Sequence, residues 1–132
     1  MLTIYTAPSC TSCKKAKDWF SRHQISYNER NMISSPLTET EVISILAMTE
    51  DGVYGVISTR NRFVKQLNVD FEELSFSEMV RIISENPQIL RRPIIKDDRR
   101  LNIGYNEEEI RTFLPRAVRT IENRDARLKS VI

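Results

Sequence analysis

Two cysteines and a single histidine are the only thiol and imidazole side chains in 132 residues. A structural zinc site usually takes four Cys or His ligands, and Cys10, Cys13 and His23 fall short of that, so metal binding ranks last among the readings of the cysteines. No apolar run reaches the roughly 20 residues that span a bilayer. Met1 leads straight into a strand-like segment, with no cationic stretch or signal-type hydrophobic segment before it. A cytoplasmic protein with no membrane attachment is expected, and there a disulfide is transient, catalytic or sensing rather than a staple of the fold. Charge of one sign is also lacking: 20 Lys and Arg against 18 Asp and Glu leave a net charge of +2, which makes no case for autonomous nucleic-acid binding. No internal repeat or low-complexity tract occurs, no cofactor is indicated, and the length suits one compact unit.

What the chain does have is Cys10-Thr11-Ser12-Cys13, placed where a strand gives way to a helix. Leu2–Thr6 is rich in β-branched and aromatic residues and is stopped by Ala7-Pro8-Ser9. Cys13, Ala16, Phe20 and His23 then recur at helical steps, with Lys14, Lys15, Lys17 and Arg22 facing away. Strand, CxxC and helix outline a thioredoxin-like βαβ start. Residues three apart inside a helix have Cβ atoms roughly 5 to 6 Å apart, whereas a disulfide needs about 3.5 to 4.5 Å. Cys10 is therefore expected at the helix mouth, where backbone N–H groups, the helix dipole and Lys14 suit an attacking thiolate, with Cys13 as the resolving thiol. The competing reading is a pair of buried structural cysteines with a chance spacing. His23 reads as a helix-end residue.

Farther along, Ile25–Arg30 alternates as a second strand. Thr38 and Glu41 form a capping box ahead of a helix that Asp51-Gly52 is expected to end. Ser75 and Glu78 form another, ahead of a helix stopped at Asn86-Pro87. Ile94-Ile95-Lys96 and Leu101-Asn102-Ile103 read as a hairpin, and Asn106 as the cap of a last helix ended by Pro115. The expected architecture is α/β: a small mixed four-stranded sheet, split by a helical insertion. Residues 1–30 plus 86–115 form the core, 31–85 the insertion, and 116–132 a basic C-terminal segment with net charge +3. Pro93, just before a strand and facing the CxxC, is the candidate cis-proline; the alternative is an ordinary trans proline leading an edge strand.

Several segments together resemble the Spx family, whose fold is that of the arsenate reductases: Cys10–Ala16, Met48–Gly52, Ile57–Arg60, Leu90–Ile95, Gly104–Arg111 and Phe113–Arg116. The resemblance covers almost the whole chain apart from its last dozen residues. It implies a redox-responsive global transcription regulator that binds the C-terminal domain of the RNA polymerase α subunit. Promoter DNA would be met only within the polymerase complex, and clearance by the ClpXP protease is implied for the family. Gly52 then corresponds to the polymerase contact, where a side chain would hold two surfaces apart. Arg60 and Arg92 correspond to arginines near the redox centre, and Arg92 is expected to pair with Cys10; Arg91 reads as solvated surface.

Two features depart from the family's wider pattern. Tyr105 follows Gly104 where the reductases carry an arginine, which removes a bidentate oxyanion ligand. Arsenate reduction is disfavoured accordingly, although a thiol oxidoreductase or arsenate reductase stays as the alternative. The chain ends Lys129-Ser130-Val131-Ile132, unlike the family's small polar ending, so tail-dependent degradation is not expected. The expected mechanism is a switch in which Cys10 is oxidised to sulfenic acid and Cys13 condenses with it.

Overall fold

The computed structural model describes residues 2–115. The basic C-terminal segment expected over 116–132 lies outside the described residues. Four strands form one mixed sheet in the order β2-β1-β3-β4. They are β1 (Thr3–Thr6), β2 (Asn28–Asn31), β3 (Ile94–Lys96) and β4 (Leu101–Ile103). β1 runs parallel to β2 and antiparallel to β3, and β3 and β4 make an antiparallel hairpin. Helix α1 (Thr11–Arg22) makes the crossover between β1 and β2. Helices α2 (Glu39–Met48), α3 (Val53–Val56), α4 (Arg62–Leu67) and α5 (Phe76–Glu85) lie between β2 and β3.

Strand alternation explains the two layers. Successive side chains point to opposite faces of a sheet, and Ile4 pairs with Ile95 while Tyr5 pairs with Ile94. Ile4 and Ile95 join Trp19 and Phe20 of α1 and Phe113 in one core. Tyr5 and Ile94 join Val42 and Ile45 of α2 and Val80 and Ile83 of α5 in the other. The segment between β2 and β3 thus shares a core with the sheet rather than packing on itself.

The ends of the elements follow from local hydrogen bonds, and four differ from expectation. β2 starts at Asn28, not Ile25, because Ile25 N–H donates to the Phe20 carbonyl and closes α1, while Ile25 and Tyr27 pack into the α1-side core. At Thr38 both halves of the capping box form, whereas Ser75 supplies only the forward half, accepting from Glu78 N–H at 3.2 Å. Asp51-Gly52 does not end α2: the helix stops at Met48 and Thr49 follows in extended conformation, so Gly52 stands instead at the start of α3 with φ 63°. The last helix is a 3-10 turn, Glu109–Phe113, and not an α-helix. The Asn106 side chain accepts from the N–H groups of Glu108 and Glu109 as expected. Pro115 then pushes Leu114 out of helical geometry too soon for a longer helix to close. The Arg92–Pro93 peptide bond is cis.

Candidate functional site: a cysteine pair at a helix mouth

Cys10 is the N-cap of α1, the position expected of the attacking thiol. Its backbone is extended, its carbonyl accepts from Lys14 N–H at 3.2 Å, and its Sγ accepts from Cys13 N–H at 3.2 Å. A sulfur thus fills the role that a hydroxyl or carboxylate usually plays at a helix N-terminus. Both thiols are free, Cys10 partly exposed and Cys13 buried at 2% exposure. Burial pushes the Cys13 thiol up to about 12, and the hydrogen bond with Cys10 adds to this; a backbone hydrogen bond from Ala7 and the Arg92 charge pull the other way. The two sulfurs are unequal in access and in chemistry, although only three residues separate them.

A hollow of about 480 Å³ is walled by Arg60, Arg91, Arg92, Asn61 and the Gly104 turn. Arg60 and Arg92, 32 positions apart in the chain, share this wall, and among the described residues no acidic one contributes to it. Arg91 is held there rather than merely solvated, its Nε donating to the Ile57 carbonyl at 2.9 Å. Tyr105 turns away and packs into the α1-side core, leaving only its Gly104 neighbour on the hollow. Cys10 does not line this hollow; the influence of Arg92 on the pair is its charge acting on Cys13.

Cys10 instead opens into a separate cleft of about 650 Å³, with Lys14, Lys17, Glu29 and Asn31 around it. Glu29, on edge strand β2, is held by the Thr6 hydroxyl at 3.0 Å and by Lys17 Nζ at 3.3 Å. Sequence reading placed Lys14 beside Cys10 but missed Glu29, because the strand register that brings it there is not local. His23 ends α1 as expected, its ring stacked on Trp19 at 4.0 Å and its Nδ1 lying 2.8 Å from the Trp19 carbonyl oxygen.

Gly52 is exposed, and its neighbours Glu50, Asp51, Tyr54 and Gly55 share a third hollow, of about 560 Å³, with edge strand β4. A Cβ on Gly52 would meet nothing within 4 Å and would point outward. At Gly55 a Cβ would come within 2.8 Å of Thr49 Oγ1 and 3.1 Å of Asp51 Cβ. Gly55 thus permits the tight fold that presents Gly52, a role that sequence reading did not assign.

The fold and the strand–CxxC–helix corner define an arsenate-reductase-type thioredoxin fold. The sequence model of the ArsC family matches residues 5–113. A Staphylococcus aureus protein solved by NMR superposes with a TM-score of 0.77 at 22% identity, over 87% of this chain and all of that one. The arsenate reductase of Vibrio cholerae gives 0.66 at 18% identity, over 86% of this chain and 94% of that one. Among curated proteins, the "Global transcriptional regulator Spx 2" of Lactococcus lactis subsp. lactis is 66% identical over the full length of both chains. The Spx of Enterococcus faecalis is 52% identical over 97% of each. The chain belongs to the ArsC family and, within it, to the Spx regulators. Among the described residues, no helix is long and apolar enough to cross a membrane.

Proposed function

We propose that this chain is a redox-responsive transcription regulator that binds the C-terminal domain of the RNA polymerase α subunit. In this reading Gly52 lies at the contact, and a Cys10–Cys13 thiol/disulfide couple adjusts the outcome. The observation that carries the switch is the asymmetry of the pair: an accessible sulfur at the helix N-cap, backed by a buried thiol that hydrogen-bonds to it. Such a pair gives one site of attack and one resolving partner. Closing the bond makes the sulfur that now caps α1 one half of a disulfide, so oxidation acts directly on the first turn of the helix. Arg92 is the charged group through which the neighbouring surface senses that change.

The polymerase contact is supported by the exposed, outward-opening Gly52. The domain division, with 1–30 plus 86–115 as the core and 31–85 as the partner-specific insertion, fits this reading. A cytoplasmic location fits it as well, and promoter DNA is met only alongside polymerase; control by ClpXP is the family's contribution to the picture. The alternative, an arsenate reductase or thiol oxidoreductase, draws support from the arginine hollow. Arsenate chemistry, however, needs the nucleophile beside the oxyanion cradle, and here Cys10 and Arg60 line different hollows. No enzymatic turnover is expected.

The test is a pull-down with the isolated α-subunit domain, using wild type, Gly52→Ala and Gly52→Arg, followed by transcription with reduced, oxidised and Cys10→Ala protein. Binding should survive in Gly52→Ala and vanish in Gly52→Arg. Retention in both would remove the interface assignment, and identical transcription from all three redox forms would remove the switch. Arsenate turnover at ordinary enzyme rates would favour the alternative.

A further inference from the structure

The side of Cys10 left open to solvent is the cleft carrying Lys14, Lys17 and Glu29, and what that cleft can hold decides which oxidant reaches the sulfur. Its volume, about 650 Å³, is that of a small-molecule site. Both cysteines border it. Lys17 is engaged with Glu29, so among the described residues around the cleft Lys14, which is exposed, is the cation left for an incoming carboxylate. The Glu29 carboxylate, anchored by Thr6 and Lys17, stands where an ammonium group would be welcome. A cation and a carboxylate flanking a thiol are complementary to an amino acid or short peptide that carries sulfur of its own. Peroxide, lacking charge, would gain nothing from either.

We infer that this cleft admits the disulfide of a small carboxylate-bearing aminothiol, and that Cys10 takes up one half of it as a mixed disulfide on the way to the Cys10–Cys13 bond. The inference deepens the redox switch by naming the class of its oxidant, and it rests on that reading. In the first step the Cys10 thiolate attacks RS–SR; a Cys10–SR bond forms, the RS–SR bond breaks, and RS⁻ leaves and takes a proton from solvent. In the second step Cys13 gives its proton to solvent and its thiolate attacks Cys10 Sγ; the Cys10–Cys13 bond forms and the second RS⁻ leaves. The two cysteines lose two electrons and the small disulfide gains them, with no other oxidant involved.

The second step is the slow one. Cys13 is buried at 2% exposure and burial raises its thiol, so its thiolate is scarce at neutral pH, while the nucleophile of the first step is in the open cleft. The mixed disulfide therefore persists long enough to be seen, and its decay into the internal bond speeds up as pH rises.

The experiment incubates the full chain with oxidised glutathione, with cystamine (cationic) and with hydroxyethyl disulfide (neutral), reading intact mass over time. Wild type should show one glutathionyl adduct that decays to the internal disulfide, and Cys13→Ser should accumulate that adduct on Cys10. Lys14→Glu should slow the reaction with oxidised glutathione by about 10-fold relative to its effect on the neutral reagent, the low end of what a steering charge supplies. No adduct in Cys13→Ser, or equal rates with all three reagents and no effect of Lys14→Glu, would overturn the inference. A hydrogen peroxide arm separates it from the switch. If peroxide closes the Cys10–Cys13 bond while oxidised glutathione leaves no adduct, the cleft assignment falls and the switch stands. If neither reagent closes the bond, both fall.

Discussion

The two faces of the sheet are built to different ends. The α1 side is closed and aromatic: Trp19 meets Phe20 edge-on at 5.0 Å, Phe20 meets Phe113 at 5.7 Å, and Phe20 is fully buried. The opposite side is covered by four helices of 4 to 10 residues, and it leaves Ile43, Tyr54 and Phe76 between 41% and 55% exposed. One face is a foundation that holds the cysteine corner, and the other offers surface. The cysteine pair sits at the N-terminus of α1, with Cys13 buried and Cys10 left partly open.

The largest test of this contrast is reagent access. At neutral pH, alkylation of Cys13 in Cys10→Ala should be much slower than that of an unhindered cysteine, because burial, the largest cause of its raised value, does not depend on Cys10. Its rate should climb about tenfold per pH unit through the neutral and mildly alkaline range, where the thiolate is the minor form. Alkylation at an ordinary rate would mean that the α1 side opens readily. Next in size, Phe20→Ala should cost about 3–5 kcal/mol in urea unfolding, whereas Phe76→Ala should stay within about 0.5 kcal/mol. A large loss at Phe76 would show that the exposed face is covered after all.

Two smaller effects sharpen the picture of the insertion. Gly52→Ala should cost about 1–3 kcal/mol through its positive φ, without a steric clash. That makes it the control for strain in the binding test above. Thr38→Ala should cost about 1 kcal/mol by removing one half of the α2 capping box.

The same box carries a pH dependence. Burial pushes the Glu41 carboxyl up, but hydrogen bonds from Thr38 and Arg30 outweigh it and hold the group below the usual carboxylate range. A depressed folded-state value stabilises the protein above the unfolded carboxylate pKa, and that stabilisation is lost as pH falls through the folded value. Glu41→Gln should therefore flatten the acid limb of the stability profile, most visibly below about pH 4. An unchanged acid limb would remove Glu41 from the account of α2.

Strand β1, helix α1, the Thr38 box and the hairpin were legible because each rests on alternation, helical spacing or a side chain bonding to a backbone group two or three residues away. The errors came where the deciding contact was more distant or the stop signal nearer than the pattern suggested. Ile25 and Tyr27 alternate like a strand but are claimed by the α1-side core, and the run after Asn106 meets Pro115 before an α-helix can close. Asp51-Gly52 has the composition of a helix end, yet Thr49 already stands in extended conformation, which leaves Gly52 to begin the next helix.

By itself the order of residues determined that Cys10 stands at a helix mouth with Cys13 one turn behind, since that follows from a strand, a proline-containing turn and a helix in succession. It also carried the family motifs. Only the tertiary structure decided that Cys13 is buried, that Arg60 and Arg92 line one hollow while Cys10 opens into another, and that Glu29 is anchored by Thr6 and Lys17. The physical reason is range. Caps and turns are satisfied within a few residues, whereas desolvation and the meeting of charges depend on which distant segments the packed sheet brings to the same corner.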